Sequence, residues 1–229
     1  MAISPTHLTA KSDSDGNTTI VTASISPGAN RLILVSVAIY DDSGSTTVSS
    51  VVGNGITYTQ VAVTAAIDDG AGPYTLYLYR GMAASPSAGA ITATVSANAL
   101  QLDIAVTEFD GVDTGGTNGS AAVVQSATNT VNGGTELIVT LAAFGDAGNG
   151  AFGCTISYNG RARTAGTGWT ELSEVTQIQE QWRADNDTTC NWTWTTSDDA
   201  AGIAIEIKAA AAAGGYVRPK SLMTLGVGV

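Results

Sequence analysis

Apolar and polar positions alternate with a period of two along most of the chain, and the alternating runs are rich in Val, Ile, Thr and Tyr. They cover residues 18–25, 31–40, 47–52, 56–64, 74–80, 90–95 and 102–109, and then 121–126, 136–144, 154–158, 170–176, 179–184, 190–196 and 202–208. This spacing places successive side chains on opposite faces of a strand. No stretch carries the 3.6-residue periodicity of an amphipathic helix. Turn signals punctuate the runs: Asp41-Asp42-Ser43-Gly44, Gly53-Asn54-Gly55, Asp68-Asp69-Gly70, Gly115-Gly116 and Asn159-Gly160. In these, Gly or Asn readily takes a positive φ. About fourteen short strands punctuated every 8 to 12 residues predict an all-β sandwich or barrel.

The pattern repeats. The segment NRLILVSVAIYDDSG from Asn30 corresponds to GTELIVTLAAFGDAG from Gly134, and GNGITYTQV from Gly53 to GTGWTELSE from Gly166. Further on, YTLYLYRGM from Tyr74 corresponds to IQEQWRADN from Ile178, and the run from Gly89 to the run from Thr188. The expected organisation is an N-terminal arm over 1–15 and a β-sandwich over 16–209, with weakly duplicated halves at about 30–112 and 134–209. An extended C-terminal arm over 210–229 completes it.

Six segments carry a family resemblance: Asn30-Arg31-Leu32-Ile33-Leu34-Val35, Gly55-Ile56-Thr57-Tyr58-Thr59, Tyr77-Leu78-Tyr79, Ile91-Thr92-Ala93-Thr94-Val95, Glu108-Phe109-Asp110-Gly111-Val112-Asp113 and Ile203-Ala204-Ile205-Glu206-Ile207-Lys208. In this order they resemble the jelly-roll-like β-sandwich modules of phage virion proteins and bacterial surface proteins, from Asn30 to Ala209. The resemblance implies a jelly-roll-like antiparallel β-sandwich with a structural, decorating or adhesive role, and it transfers no functional residues.

Composition narrows the function. The 229 residues hold 9 Lys and Arg against 20 Asp and Glu, a net charge of −11, with 44% hydrophobic and only 13% charged residues. Such a chain can bury a core, but it lacks the basic surface that releases counterions from nucleic acid. Residues 1–11 show neither a basic n-region nor an apolar h-region, and no run reaches the ~18–20 apolar residues of a spanning helix. The expectation is a protein made in a host cytoplasm and carried in a virion, or alternatively displayed on an extracellular surface, with no membrane or nucleic-acid partner. Cys154 and Cys190 fit no zinc spacing. They read as two buried thiols or as one candidate disulfide.

Candidate chemistry is sparse. A Ser-His-Asp or Cys-His mechanism needs a base, and the only histidine is His7, in a segment that reads as a terminus. Glu108 with Asp110, or Glu171 with Glu174, are the best carboxylate pairs for glycoside hydrolysis. Asp13-Ser14-Asp15-Gly16-Asn17 spaces oxygen donors at i, i+2 and i+4, and Asp41-Asp42, Asp68-Asp69 and Asp198-Asp199 are further acidic turns. None completes a calcium loop, so no metal, cofactor or catalytic residue is assigned. Trp192 and Trp194 share one strand face, with Trp182 and Trp169 on neighbouring strands, and read either as core or as a platform for a glycan. Beyond Lys208, five alanines and two glycines lead into YVRPKSLMTLGVGV. Fourteen extended residues span about 46 Å at ~3.3 Å each. Tyr216, Leu222, Met223 and Leu225 are therefore candidate contacts of an assembly arm. The expected function is a non-enzymatic structural protein of a virus particle, a bacteriophage capsid decoration, minor capsid or tail component. Its partners would be other copies of itself and other virion proteins. The alternative is a carbohydrate-binding or adhesive sandwich on a cell surface or receptor-binding fibre, with a glycan as ligand.

Overall fold

The computed structural model describes residues 2–68, 70 and 72–211. The expected residues of the C-terminal arm, Tyr216, Leu222, Met223 and Leu225, lie outside that range. The described chain forms fifteen strands and one short 3-10 turn, Ser120–Ala122. No described helix is long and apolar enough to cross a membrane.

The first nine strands are β1 (Ser4–Asp13), β2 (Thr19–Val21), β3 (Leu32–Tyr40), β4 (Val48–Gly53), β5 (Ile56–Thr57), β6 (Thr59–Val63), β7 (Tyr74–Gly81), β8 (Ile91–Val95) and β9 (Gln101–Asp110). Their antiparallel pairs run from the outside of the sequence inward: β1 with β9, β2 with β8, β3 with β7, β4 with β5. A long ribbon rolled up in this way is a jelly roll. It closes as one sheet in the order β1-β9-β3-β7-β6 and a second in the order β2-β8-β4-β5. The innermost turn is a two-residue hairpin in which Asn54 and Gly55 both take positive φ, 55° and 65°. Asn54 Nδ2 ties that turn down by donating to the carbonyls of Ser87 and Gly89. The segment expected as an N-terminal arm is β1, an edge strand of the larger sheet.

The second half repeats the roll with fewer breaks. β10 (Val123–Thr140), β11 (Gly150–Ser157), β12 (Thr164–Ala165), β13 (Thr170–Val175), β14 (Ile178–Arg183) and β15 (Thr189–Ile207) form one connected sheet in the order β10-β15-β11-β14-β13, with β12 on β15. β10 and β15 bend at bulges between Val131 and Glu136, so the first part of β15 and the last part of β10 fold over the outer face of the rest. By strand order β10 serves as both first and second strand, β11 matches β3, β13 matches β6 and β14 matches β7. β15 matches β8 and β9 in succession. The segments from Gly53 and Gly166, from Tyr74 and Ile178, and from Gly89 and Thr188 occupy like places in this strand order. The fourth is corrected: the partner of the strand after Asn30 is β11, whereas the run from Gly134 is the second part of β10. The β3 strand is buried on both faces and β11 likewise, but residues 136–140 alternate exposed and buried as an outer strand must.

The two larger sheets pack face to face. β1 lies over β13, β9 over β13 and β14, β7 over β11 and β15, and β6 over β10, the order an approximate two-fold axis would produce. Leu32, Leu34, Leu76, Leu78 and Phe109 meet Phe152, Ile156, Ile178, Ile203 and Ile205 between them. Each roll has its own inner core as well. The first uses Ile33, Val35, Val37, Ile91 and Ile104, and the second Leu137, Val139, Trp192 and Trp194. The result is four β layers and three apolar seams.

Candidate functional site

The middle seam is not wholly apolar. Alternation along β9 turns Asp103, Ala105, Thr107 and Phe109 toward the second roll. Antiparallel pairing sets His7 beside Thr107 and Ser12 beside Asp103. From the opposite sheet β14 supplies Glu180, which is fully buried. Ser36 Oγ donates to Glu180 Oε1 at 2.7 Å, and Thr107 Oγ1 and Ser173 Oγ donate to Oε2 at 2.7 and 3.2 Å. His7 Nδ1 stands 3.9 Å from Oε2 and 3.5 Å from Thr107 Oγ1. Burial raises the Glu180 pKa against the pull of the three hydroxyls, and burial lowers that of His7.

A second polar group lies further along β9. Burial raises Asp103 to about 6, although Ser12, Gln101 and the Gln177 amide donate to it and Arg163 is near. Gln101 Nε2 reaches Asp103 Oδ2 at 2.8 Å, while Oδ1 has no partner. The Arg163 side chain is fully enclosed and bonds Glu174 Oε1, Ser157 Oγ and the Gln177 carbonyl. Gln177 Nε2 donates to Tyr74, whose ring stacks on Tyr40 at 4.4 Å and meets Tyr158 edge-on at 5.3 Å. Chemically this seam holds carboxylates, hydroxyls and one imidazole in hydrogen-bonded contact. Glu180 is closed to any substrate, so the network locks the two rolls together. Sequence reasoning missed it. The one legible clue was Gln179-Glu180-Gln181, a polar run inside a predicted strand.

The candidate residues from the sequence fall elsewhere. Trp192 and Trp194 do not form a glycan platform: they are 0% and 6% exposed, inside the second roll. Trp194 Nε1 donates to the Gly134 carbonyl, and the Trp192 ring packs where Gly153 leaves room. The candidate disulfide is absent, since Cys154 and Cys190 are free and buried. Cys154 faces the middle seam and Cys190 the core of the second roll. Burial raises both thiol pKa values, so neither is a ready nucleophile.

The carboxylate pairs are engaged internally. Glu108 pairs with Arg31 and accepts from the Gly28 amide, Glu171 accepts from Gln179, and Glu174 holds Arg163. The acidic turns close on their own backbone. Asp13 accepts from the Asp15 amide and Asn17, Asp41 from Ser43, Gly44 and Thr46, and Asp68 from Gly70 and Gly72. Asp198 is bonded to Asn159 and Asp199 to the Gly133 amide, which fastens the bend of β15. Among the described residues no three His, Cys, Asp or Glu side chains gather as a metal site. His7, expected in a loose terminus, sits instead in the β1 strand.

A cleft of about 510 Å³ opens where Ala2 and Ile3 meet the segment 208–211. Its wall is small and apolar, with Ile3, Ala184 and Ala209, and its rim carries Asp113, Asp146 and Lys208. Lys208 Nζ pairs with Asp113 at 2.8 Å and also feels the charge of Asp146. The first alanines after Lys208 are anchored: the Ala209 amide donates to Asn149 Oδ1 and the Ala210 amide to the Gly111 carbonyl. Compared with protein-family models, with curated proteins and with solved structures, the chain matches none.

Proposed function

We propose that this protein is a non-enzymatic structural subunit of a virus particle, a bacteriophage capsid decoration, minor capsid or tail component, working through contacts with its own copies and with other virion proteins. The observation that supports the reading best is the outer sheet of the first roll. Its four strands, TIV, VSSVVG, IT and ITATV, contain no charged residue in a chain of net charge −11. Val21, Thr92, Val52 and Thr57 stand in register across its outer face, with Val21 43% and Val52 54% exposed. A solvated sheet face normally carries Lys and Glu, and a charge-free row of alternating Val and Thr is what a lattice neighbour can cover. Away from this face the negative charge keeps copies apart.

The experiment compares full-length protein with Val52→Lys by light scattering after size exclusion. Defined assemblies of the parent that dissociate in the variant, with an unchanged melting temperature, are the expected result. A full-length protein that remains a 23.1 kDa monomer across concentration and salt sinks the reading.

A further inference from the structure

We infer that the cleft at the shared end of the two rolls is the acceptor for the C-terminal segment 212–229 of a neighbouring copy, an inference that rests on the assembly reading above. Three observations converge. The first is position. The chain is fastened through Ala210 to the Gly111 carbonyl and reaches Ala211 on the wall of the cleft, so the described chain leads up to the acceptor itself. A donor and an acceptor at the same end let two copies exchange their segments reciprocally, a contact that adds to the one made by the outer sheet.

The second is charge. Residues 212–229 hold two of the chain's nine basic residues, Arg218 and Lys220, and none of its twenty acidic ones. The body they would approach is correspondingly more negative. At the cleft Asp113 and Asp146 outnumber Lys208, and Lys208 is paired with Asp113. Asp146 accepts from the Gly148 amide at 2.8 Å and has no ion-pair partner within 4 Å among the described residues, so its second oxygen can meet an incoming cation.

The third is shape and polarity. The apolar part of the wall is built of alanines and Ile3, and among the described residues no bulky side chain lines it. A cleft of about 510 Å³ accommodates a few side chains of leucine or methionine size, and the segment offers Leu222, Met223 and Leu225 directly after its two cations. Apolar anchors in a small pocket with a cation on an acidic rim form the usual core-and-rim arrangement of a peptide contact.

The test separates donor from acceptor. A full-length Ala184→Trp variant keeps the tail but fills the cleft, and a chain ending at Ala211 keeps the cleft but lacks the tail. Ala184 is exposed, so the indole is tolerated by the fold, and circular dichroism and melting of both proteins establish this. With Val52→Lys also present in both, which removes the outer-sheet contact, each alone should run as a monomer by light scattering. Their equimolar mixture should form a one-to-one complex that weakens at least tenfold on raising salt from 50 to 500 mM, and again when the acceptor carries Asp146→Asn. A mixture that stays apart, an acceptor that self-associates without any tail, or a complex indifferent to Asp146→Asn overturns the inference. If full-length Ala184→Trp still assembles like the parent, the cleft is not the acceptor while the assembly reading stands. A parent that never assembles removes the assembly reading itself.

Discussion

Asp103 makes the protein more stable when mildly acidified, and Asp103→Asn should remove that gain. Its carboxyl is 1% exposed, one oxygen has no partner, and burial lifts its pKa to about 6 from 3.8. A carboxyl whose pKa is raised on folding binds its proton more tightly in the folded state. The resulting stabilisation is complete below the unfolded value near 3.8 and is lost as pH rises through about 6. Two pKa units at 1.36 kcal/mol each amount to roughly 3 kcal/mol over the whole titration, of which about 1 kcal/mol falls between pH 7 and pH 5. For a chain of this size that is a rise of about 2–4 °C in melting temperature. Other groups are shifted as well: Glu180, also raised, acts in the same direction, and His7, lowered, opposes it. Asp13, Asp41, Asp113 and Asp185 are lowered and give up stability only at more acidic pH. Comparing parent and Asp103→Asn by calorimetry at pH 7 and pH 5 cancels these shared terms. The parent should gain about 1 kcal/mol more than the variant on acidification; equal gains would refute the argument that burial without a full set of partners governs this carboxyl.

Three further outcomes follow from the packing. Thr107→Val removes the hydroxyl that donates to Glu180 Oε2 at nearly constant volume and should cost about 1–2 kcal/mol in urea unfolding at pH 7, with an unchanged m-value. Gly153→Ala places a Cβ 2.2 Å from Cys190 Sγ and 2.8 Å from the Trp192 ring, and should destabilise by about 1–3 kcal/mol, seen as a lowered melting temperature with perturbed near-UV tryptophan dichroism. Native protein should leave both thiols unreacted with a water-soluble disulfide reagent and release two equivalents only after denaturation, with or without prior reduction. A single disulfide in the unreduced mass would contradict the free pair.

The strands were legible where burial is one-sided or the apolar run is continuous. The runs that became β3, β7, β8 and β9 carried their pattern openly, and Gly53-Asn54-Gly55 announced a two-residue hairpin turn. Where packing replaces side chains by space, the signal vanishes. The β11 strand begins GAFGC because Gly153 must admit Trp192, so its first half does not read as a strand and the repeat was aligned one strand off. The β1 strand, SPTHLTAKSD, lies at a sheet edge with only partial burial and reads like a polar terminus. The β10 and β15 strands were divided into shorter runs because their bulges interrupt the alternation without ending the strand. The burial of Glu180 is a different case: its polar run is visible, but alternation treats a carboxylate as solvent-facing, and only the tertiary pairing of two sheets can bury one.

That buried carboxylate gives the seam its specificity. Two sheets of like strand order, both lined with Leu and Ile, can slide against each other at little cost if apolar area is all that holds them. Matching Tyr74 of β7 to Ile178 of β14 sets Glu180 where the first roll has Leu76, and the strand pairings then set Asp103 where the second roll has Ile203. The approximate two-fold is thus broken at both positions, with a carboxyl in one roll and a hydrocarbon in the other. A shifted pairing would strand Glu180 among leucines, away from Ser36 and Thr107, at a cost of several kcal/mol. The apolar contacts hold the rolls together, and the hydrogen-bonded carboxylate selects the one register in which they meet.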